Sequence, residues 1–206
     1  PGCNLPALRR VTCQDDLTLR PGCTLLAVQS LACNKSLILG EGCSLPALAT
    51  LGCSSCSLKI GEGCSLPALE ALYTSILTLG ERCILPALHT IHCRKLAVGA
   101  GCTLPMLDGL YCDSLILGNN CTLPALRNLL CVSVILRAQR SLPTLKTIGS
   151  DSITMLDGCS LPALERLDSH SITLGQGCSL PALELLEPHV SLVLGQGCSL
   201  PTLRHL

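Results

Sequence analysis

Residues 102–120 read CTLPMLDGLYCDSLILGNN, and residues 159–177 read CSLPALERLDSHSITLGQG. Set cysteine on cysteine, both run Cys, Ser or Thr, Leu, Pro, an apolar residue and Leu. Both then carry an alternating Leu/Ile-x-Leu pair closed by Gly. Working outward, the same frame begins at Cys3, Cys23, Cys43, Cys64, Cys83, Cys102, Cys121, Arg140, Cys159, Cys178 and Cys198. The spacings are 20, 20, 21, six of 19, and 20, so eleven starts give ten complete units and a truncated eleventh. A fixed period near twenty residues marks a solenoid, whose units are too small to bury an apolar face alone and do so by stacking.

Each column of the repeat has a physical reading. With the cysteine as position 0, position 2 is Leu in all eleven units and positions 5 and 8 are aliphatic throughout, as in Leu161, Leu164 and Leu167. These columns predict the core. Position 10 is Cys13, Cys33, Cys53, Cys93, Cys112 and Cys131 in six units, and Thr74, Ser150, Ser169 and Pro188 in the other four complete ones. The Ile172-x-Leu174 pair has the period-two alternation of a half-buried strand. Ser, Thr or Asn at position 1, just before Leu-Pro, predicts a cap on a single helical or 3₁₀ turn, where Pro is tolerated. Gly before the cysteine and after Leu-x-Leu marks tight corners. The longer units place their extra residues after position 10, at Gln14–Asp16 and Ser54–Ser57, which predicts a solvent-exposed turn and leaves Cys56 in it.

The expected fold is therefore a repeat β-solenoid of about ten stacked coils with short parallel strands and a Ser/Thr-capped Leu-Pro turn per coil. One solenoid domain spans 1–206. It reads as an excerpt of a longer array with terminal caps absent, and its uncapped leucine edges predict end-to-end self-association.

Composition narrows the function classes. The 206 residues include 47 leucines and 17 cysteines, but no Trp, no Phe and two tyrosines. A core without large aromatics must be narrow and regular. Fourteen basic residues balance fourteen acidic ones, which argues against a nucleic-acid partner recruited by bulk charge. No apolar run approaches the roughly 18 residues of a membrane span. Catalytic fingerprints such as G-x-S-x-G, a P-loop or H-E-x-x-H do not occur. Asp15-Asp16 falls in the predicted exposed turn, Gly61–Gly63, Gly175–Gly177 and Gly195–Gly197 are corners, and His170 and His189 sit in exposed-turn columns. The chain reads as a non-enzyme without a cofactor.

The cysteines should form two ladders along the stack, at positions 0 and 10. Three readings stay open. They are small buried thiols packing beside leucine, or inter-coil disulfides, or metal ligands. Cys53-Ser-Ser-Cys56 is the single CxxC, with His89, His92 and Cys93 as conceivable further ligands and no second CxxC. No metal site is assigned. Free thiols would favour a cytoplasmic protein, and bridged ones an extracellular or cell-surface protein.

If positions 8 and 10 point inward, position 9 points out. It carries Tyr73, His92 and Tyr111 in successive coils, then Leu130, with Glu70, His89 and Asp108 beside them at position 6. Exposed tyrosines make good contact anchors, while a same-face ladder also stabilises sheet pairing. Position 6 varies most in charge and size, as a partner-specific surface or an unconstrained solvated column would. The outward residues of Leu-x-Leu include Thr18, Thr78, Thr154 and Thr173 but also Lys59 and several aliphatics, a broken row for an ice-binding solenoid.

Leu48-Ala49-Thr50-Leu51-Gly52-Cys53 matches the LxxLxL core of leucine-rich repeats, and Ser171 to Leu183 resembles their Treponema/BspA-type variant. The resemblance implies binding of a protein or other ligand on an exposed sheet, with no catalysis. A protein-protein interaction scaffold is the expected function. A secreted or cell-surface BspA-like adhesin with inter-coil disulfides is the alternative, and an ice-binding solenoid a distant third.

Overall fold

The computed structural model describes residues 7–136 and 142–204, and for residues 54, 55 and 188–190 the backbone only. The frame starts Cys3 and Arg140 and the side chain of His189 lie outside the described residues. The chain folds as a parallel β-solenoid of stacked coils, and no helix occurs among the described residues. It divides into two compact units, residues 1–107 with 116–123, and residues 108–115 with 124–206.

In the first unit, β1 (Arg10–Cys13) and β2 (Leu17–Leu19) belong to one coil, β3 (Ser30–Cys33) and β4 (Ser36–Leu39) to the next. Then come β5 (Thr50–Ile60), β6 (Ala71–Leu79), and the pair β7 (Thr90–His92) and β8 (Lys95–Val98). Like columns pair with like. Val11 faces Leu31, Leu31 faces Leu51, and Leu72 faces Ile91. On the second side of the coil Leu37 faces Leu58, Leu58 faces Leu77, and Leu77 faces Leu96. The second unit repeats this with residues 109–115 of β9 (Gly109–Leu117), β10 (Asn128–Leu136), β11 (Thr147–Met155), β12 (Arg166–Leu174) and β13 (Leu185–Leu194). Its register runs Leu110, Leu129, Ile148, Leu167, Leu186.

The leucine columns are the core. In one coil Leu66 and Leu69 are 0% exposed and Leu72 1%. Each such leucine contributes about 1.5–3 kcal/mol by leaving water, and among the described residues no buried side-chain nitrogen or oxygen lacks a partner. The expected turn after position 10 takes a different form in most coils. β6, β9, β10, β11 and β12 run straight through it as nine-residue strands. Two successive residues there, such as Ser75-Ile76 or Val132-Ser133, both face away from the core, and alternation resumes one step out of phase. Open bends remain in the coils of β1/β2, β3/β4 and β7/β8.

The Leu-Pro corner lies where the sequence placed it, as a tight turn closed by the Leu48 amide donating to the Leu45 carbonyl at 3.2 Å. The residue before it contributes its backbone to a third parallel ladder, Thr24 to Ser44, Ser65, Ile84, Thr103 and Thr122 in the first unit, and Ser160 to Ser179 and Ser199 in the second. Ile84 fits this ladder as well as a hydroxyl residue, because the backbone carries the pairing.

Two glycine columns serve two purposes. Gly before the cysteine has positive φ, as at Gly63 (65°), and Arg82 (54°) and Asn120 (57°) take the same left-handed conformation. Gly after Leu-x-Leu lies against the neighbouring coil instead. A Cβ on Gly61 would stand 2.6 Å from the Gly40 carbonyl carbon and 2.7 Å from the Glu41 nitrogen.

Candidate functional site

The outward face of β6 and β7 carries the pair the sequence singled out. Tyr73 and His92 are register partners, and their rings stack with centroids 5.1 Å apart and planes 14° from parallel. Parallel pairing brings like columns to the strand spacing, and that brings the rings face to face. Tyr73 is 53% exposed. Glu70 and His89, at position 6 of the same two coils, are exposed, and the His89 amide donates to the Glu70 carbonyl at 2.8 Å.

Tyr111, Leu130 and Asp108 belong to the second unit. Tyr111 is half-buried, its ring folded over Gly109 of its own strand, where an added Cβ would meet ring carbon Cε2 at 2.9 Å. Leu130 is 44% exposed and reaches over Gly149 of the next coil. Asp108 is exposed and lies 4.0 Å from the Arg127 guanidinium at the same column one coil on.

That pairing reinterprets the variable position 6. Besides Asp108–Arg127, Lys146 Nζ meets Glu165 Oε1 at 2.8 Å. Four charges of this column are thus paired between neighbouring coils. Such exposed pairs contribute little each. His170, expected in a solvated turn, is exposed and stands 3.5 Å from Asp151.

The cysteine columns differ from one another. At position 0 the thiols are buried or half-buried and donate to a corner carbonyl of the preceding coil. Cys64 donates to Gly40 at 3.1 Å, Cys83 to Gly61 at 3.1 Å, Cys102 to Gly80 and Cys121 to Gly99 at 3.0 Å, and Cys198 to Gly175 at 3.1 Å. Burial pushes the Cys64 thiol up to about 11 and raises Cys43 and Cys178 as well. Cys83 is lowered, chiefly by its side-chain contact with Cys102.

At position 10 the side chain lies against the strand bend. Where it is a hydroxyl it bonds the carbonyl two residues on, as Ser150 does to Ser152 at 2.9 Å and Ser169 to Ser171 at 3.0 Å. That explains why Thr and Ser replace Cys in this column. Where Cys meets Cys, sulfurs come close, with Cys112 and Cys131 Sγ 3.0 Å apart. The Cys112 thiol is pushed up by its contact with Cys131 and by burial.

Cys56 is a correction. The exposed turn expected around it is part of β5, and Cys56 is 4% exposed. Its Sγ lies 3.8 Å from that of Cys33, which is itself 3.7 Å from Cys53 Sγ. The sequence showed the CxxC of Cys53 and Cys56. It did not show the third sulfur, which stacking supplies from the coil before. His89, His92 and Cys93 do not belong to this group.

No protein-family model matches the chain, and neither a curated protein nor a solved structure does.

Proposed function

We propose that the chain is a non-catalytic protein-interaction scaffold that engages its partner through the outward face of its strands. One observation carries this reading: Tyr73 is 53% exposed while held in a stack against His92. A large amphipathic ring fixed before binding loses little entropy on contact, which is what an anchor residue requires. Glu70 and His89 beside it supply polar contacts of a kind suited to a rim. The resemblance to leucine-rich repeats supports the same use of the sheet.

The test is a photo-crosslinking residue placed at position 73 in the full chain, exposed to extract of the source cells. The expected result is one discrete, saturable adduct that disappears when His92→Ala is added. An adduct pattern no different from that obtained at exposed Gln29 would overturn the reading.

The 3.0 Å approach of Cys112 and Cys131 sulfurs favours a second reading, a secreted or cell-surface adhesin with inter-coil disulfides. The position-0 thiols weigh against extensive bridging, because a sulfur in a disulfide has no proton to donate. Intact mass after alkylation of the denatured chain, with and without reductant, separates the two. End-to-end self-association is proposed from the edge coils, where Leu19 in β2 is half-buried and Leu194 in β13 is 47% exposed. A sedimentation coefficient independent of concentration would refute it.

A further inference from the structure

The coil that begins at Cys43 is the longest, at 21 residues, and its extra length lies between Cys53 and Ser57. The ladder from β5 to β6 shifts register across this interval, Cys53 pairing with Thr74 and Ser57 with Ile76. A bulge of this kind re-aims side chains, and here it turns Cys56 inward. Cys33 arrives from β3, the corresponding strand of the preceding coil. The three sulfurs lie within 4.8 Å of one another, and the residues are 4%, 1% and 4% exposed. Among the described residues no other set of three metal-ligating side chains comes together in this way.

The geometry suits coordination. Two sulfur–sulfur edges are 3.7 and 3.8 Å. Metal–thiolate bonds of about 2.3 Å give edges of about 3.8 Å on a tetrahedral face and about 4.0 Å in a trigonal plane. A metal would fit between these sulfurs without prising the coils apart. A disulfide would need one pair to close to about 2.05 Å and would leave the third sulfur unused.

The surroundings are arranged as well. The Thr74 hydroxyl donates to the Cys56 carbonyl at 2.8 Å, which holds the bulge that carries Cys56. The Cys56 thiol donates to the Cys53 carbonyl at 3.3 Å. Cys13, the register partner of Cys33 in the neighbouring coil, is half-buried.

Donor type and number select the ion. Three sulfurs with no carboxylate or imidazole in the group disfavour magnesium and calcium. Zinc in an all-protein site takes four ligands. Monovalent copper is a soft ion satisfied by thiolates, and three ligands suffice for it. We propose that Cys33, Cys53 and Cys56 form a buried three-sulfur binding site for a soft d¹⁰ cation, with Cu(I) as the ion it takes. Binding changes no oxidation state. Each thiol that becomes a ligand thiolate releases its proton to solvent.

The experiment is an anaerobic titration of the reduced full chain with Cu(I), buffered by a chromophoric chelator strong enough to strip copper from isolated thiols. One equivalent should bind, with sulfur-to-copper charge transfer in the near ultraviolet. The copper-loaded chain, denatured under alkylation, should keep three thiols protected relative to the metal-free chain. Cys56→Ser and Cys33→Ser should each weaken binding about 100-fold or more, while Cys131→Ser should leave it unchanged. Circular dichroism checks that each variant folds, and thiol protection in the unaltered chain tests the site even if a variant does not. Equal copper binding by Cys56→Ser and the parent overturns the site. So does a trio already lacking two hydrogens by mass in the freshly reduced protein. Uptake of one equivalent of zinc in preference to copper overturns the choice of ion.

Discussion

A buried thiol is usually explained by packing, but the position-0 cysteines also donate. Cys102 is 0% exposed and donates to the Gly80 carbonyl at 3.0 Å. Cys102→Ala removes the donor, leaves that half-buried carbonyl without it and opens a small void. The expected cost is about 1–3 kcal/mol, read as a lower denaturant midpoint with unchanged slope. The two glycine columns separate in the same assay. At Gly61 the clash is with backbone of the neighbouring coil, so Gly61→Ala should cost about 3 kcal/mol by forcing coils apart. At Gly63 nothing lies within 4 Å, and only the left-handed φ of 65° opposes a side chain. Gly63→Ala should cost about 1 kcal/mol. In the sequence both columns read simply as corners. Their different causes are invisible there, because one is a property of the residue's own dihedrals and the other of a coil some twenty residues away.

At the level of the strand, the alternation of Leu72, Thr74, Leu77 and Leu79 was legible, since period-two patterning records which way each side chain points. The bend was not legible as a strand, because two outward residues in a row look the same as a loop. Cys56 was misplaced for that reason. Nothing in Ser-Ser-Cys-Ser says which residue the bulge will turn inward. The position-6 column fitted a partner-specific surface and an unconstrained solvated column equally well, because a single row of letters hides which charges become neighbours. Register supplies the answer, and with it a test. Glu165→Lys replaces the partner of Lys146 with a second ammonium one strand spacing away. The expected loss is about 0.5–1 kcal/mol at low salt. It should nearly vanish near 1 M salt, where the screening length falls to about 3 Å, as followed by thermal melting at both ionic strengths.

For the molecule as a whole, the absence of Trp and Phe has a counterpart in the buried leucine and cysteine columns, and many thiols therefore share one response to pH. Burial raises Cys43, Cys64 and Cys178 above the ordinary thiol value of 9.0, Cys64 to about 11. The unfolded chain loses those protons first, so between these values the folded state binds more protons and loses stability as pH rises. The contribution is complete below pH 9 and is lost as pH climbs through 11. The melting temperature should stay level to about pH 9 and fall steeply beyond it under strict reduction. A level profile through pH 11 would contradict the burial described. Cys83, which shifts the other way, offsets only part of the effect.

The thiol-to-carbonyl bonds that link coils at position 0 run the same way, each donor reaching back to the coil made before it, as Cys83 does to Gly61 and Cys102 to Gly80. A ribosome therefore releases each such corner one bond short, with a carbonyl waiting for a cysteine 22 residues further on, as Gly61 waits for Cys83. Shortening the array from its two sides is also unequal. Loss of a following coil orphans a strong acceptor, whereas loss of a leading coil orphans only a weak sulfur donor. A chain of nearly identical coils thus carries a direction of synthesis in its sulfur atoms.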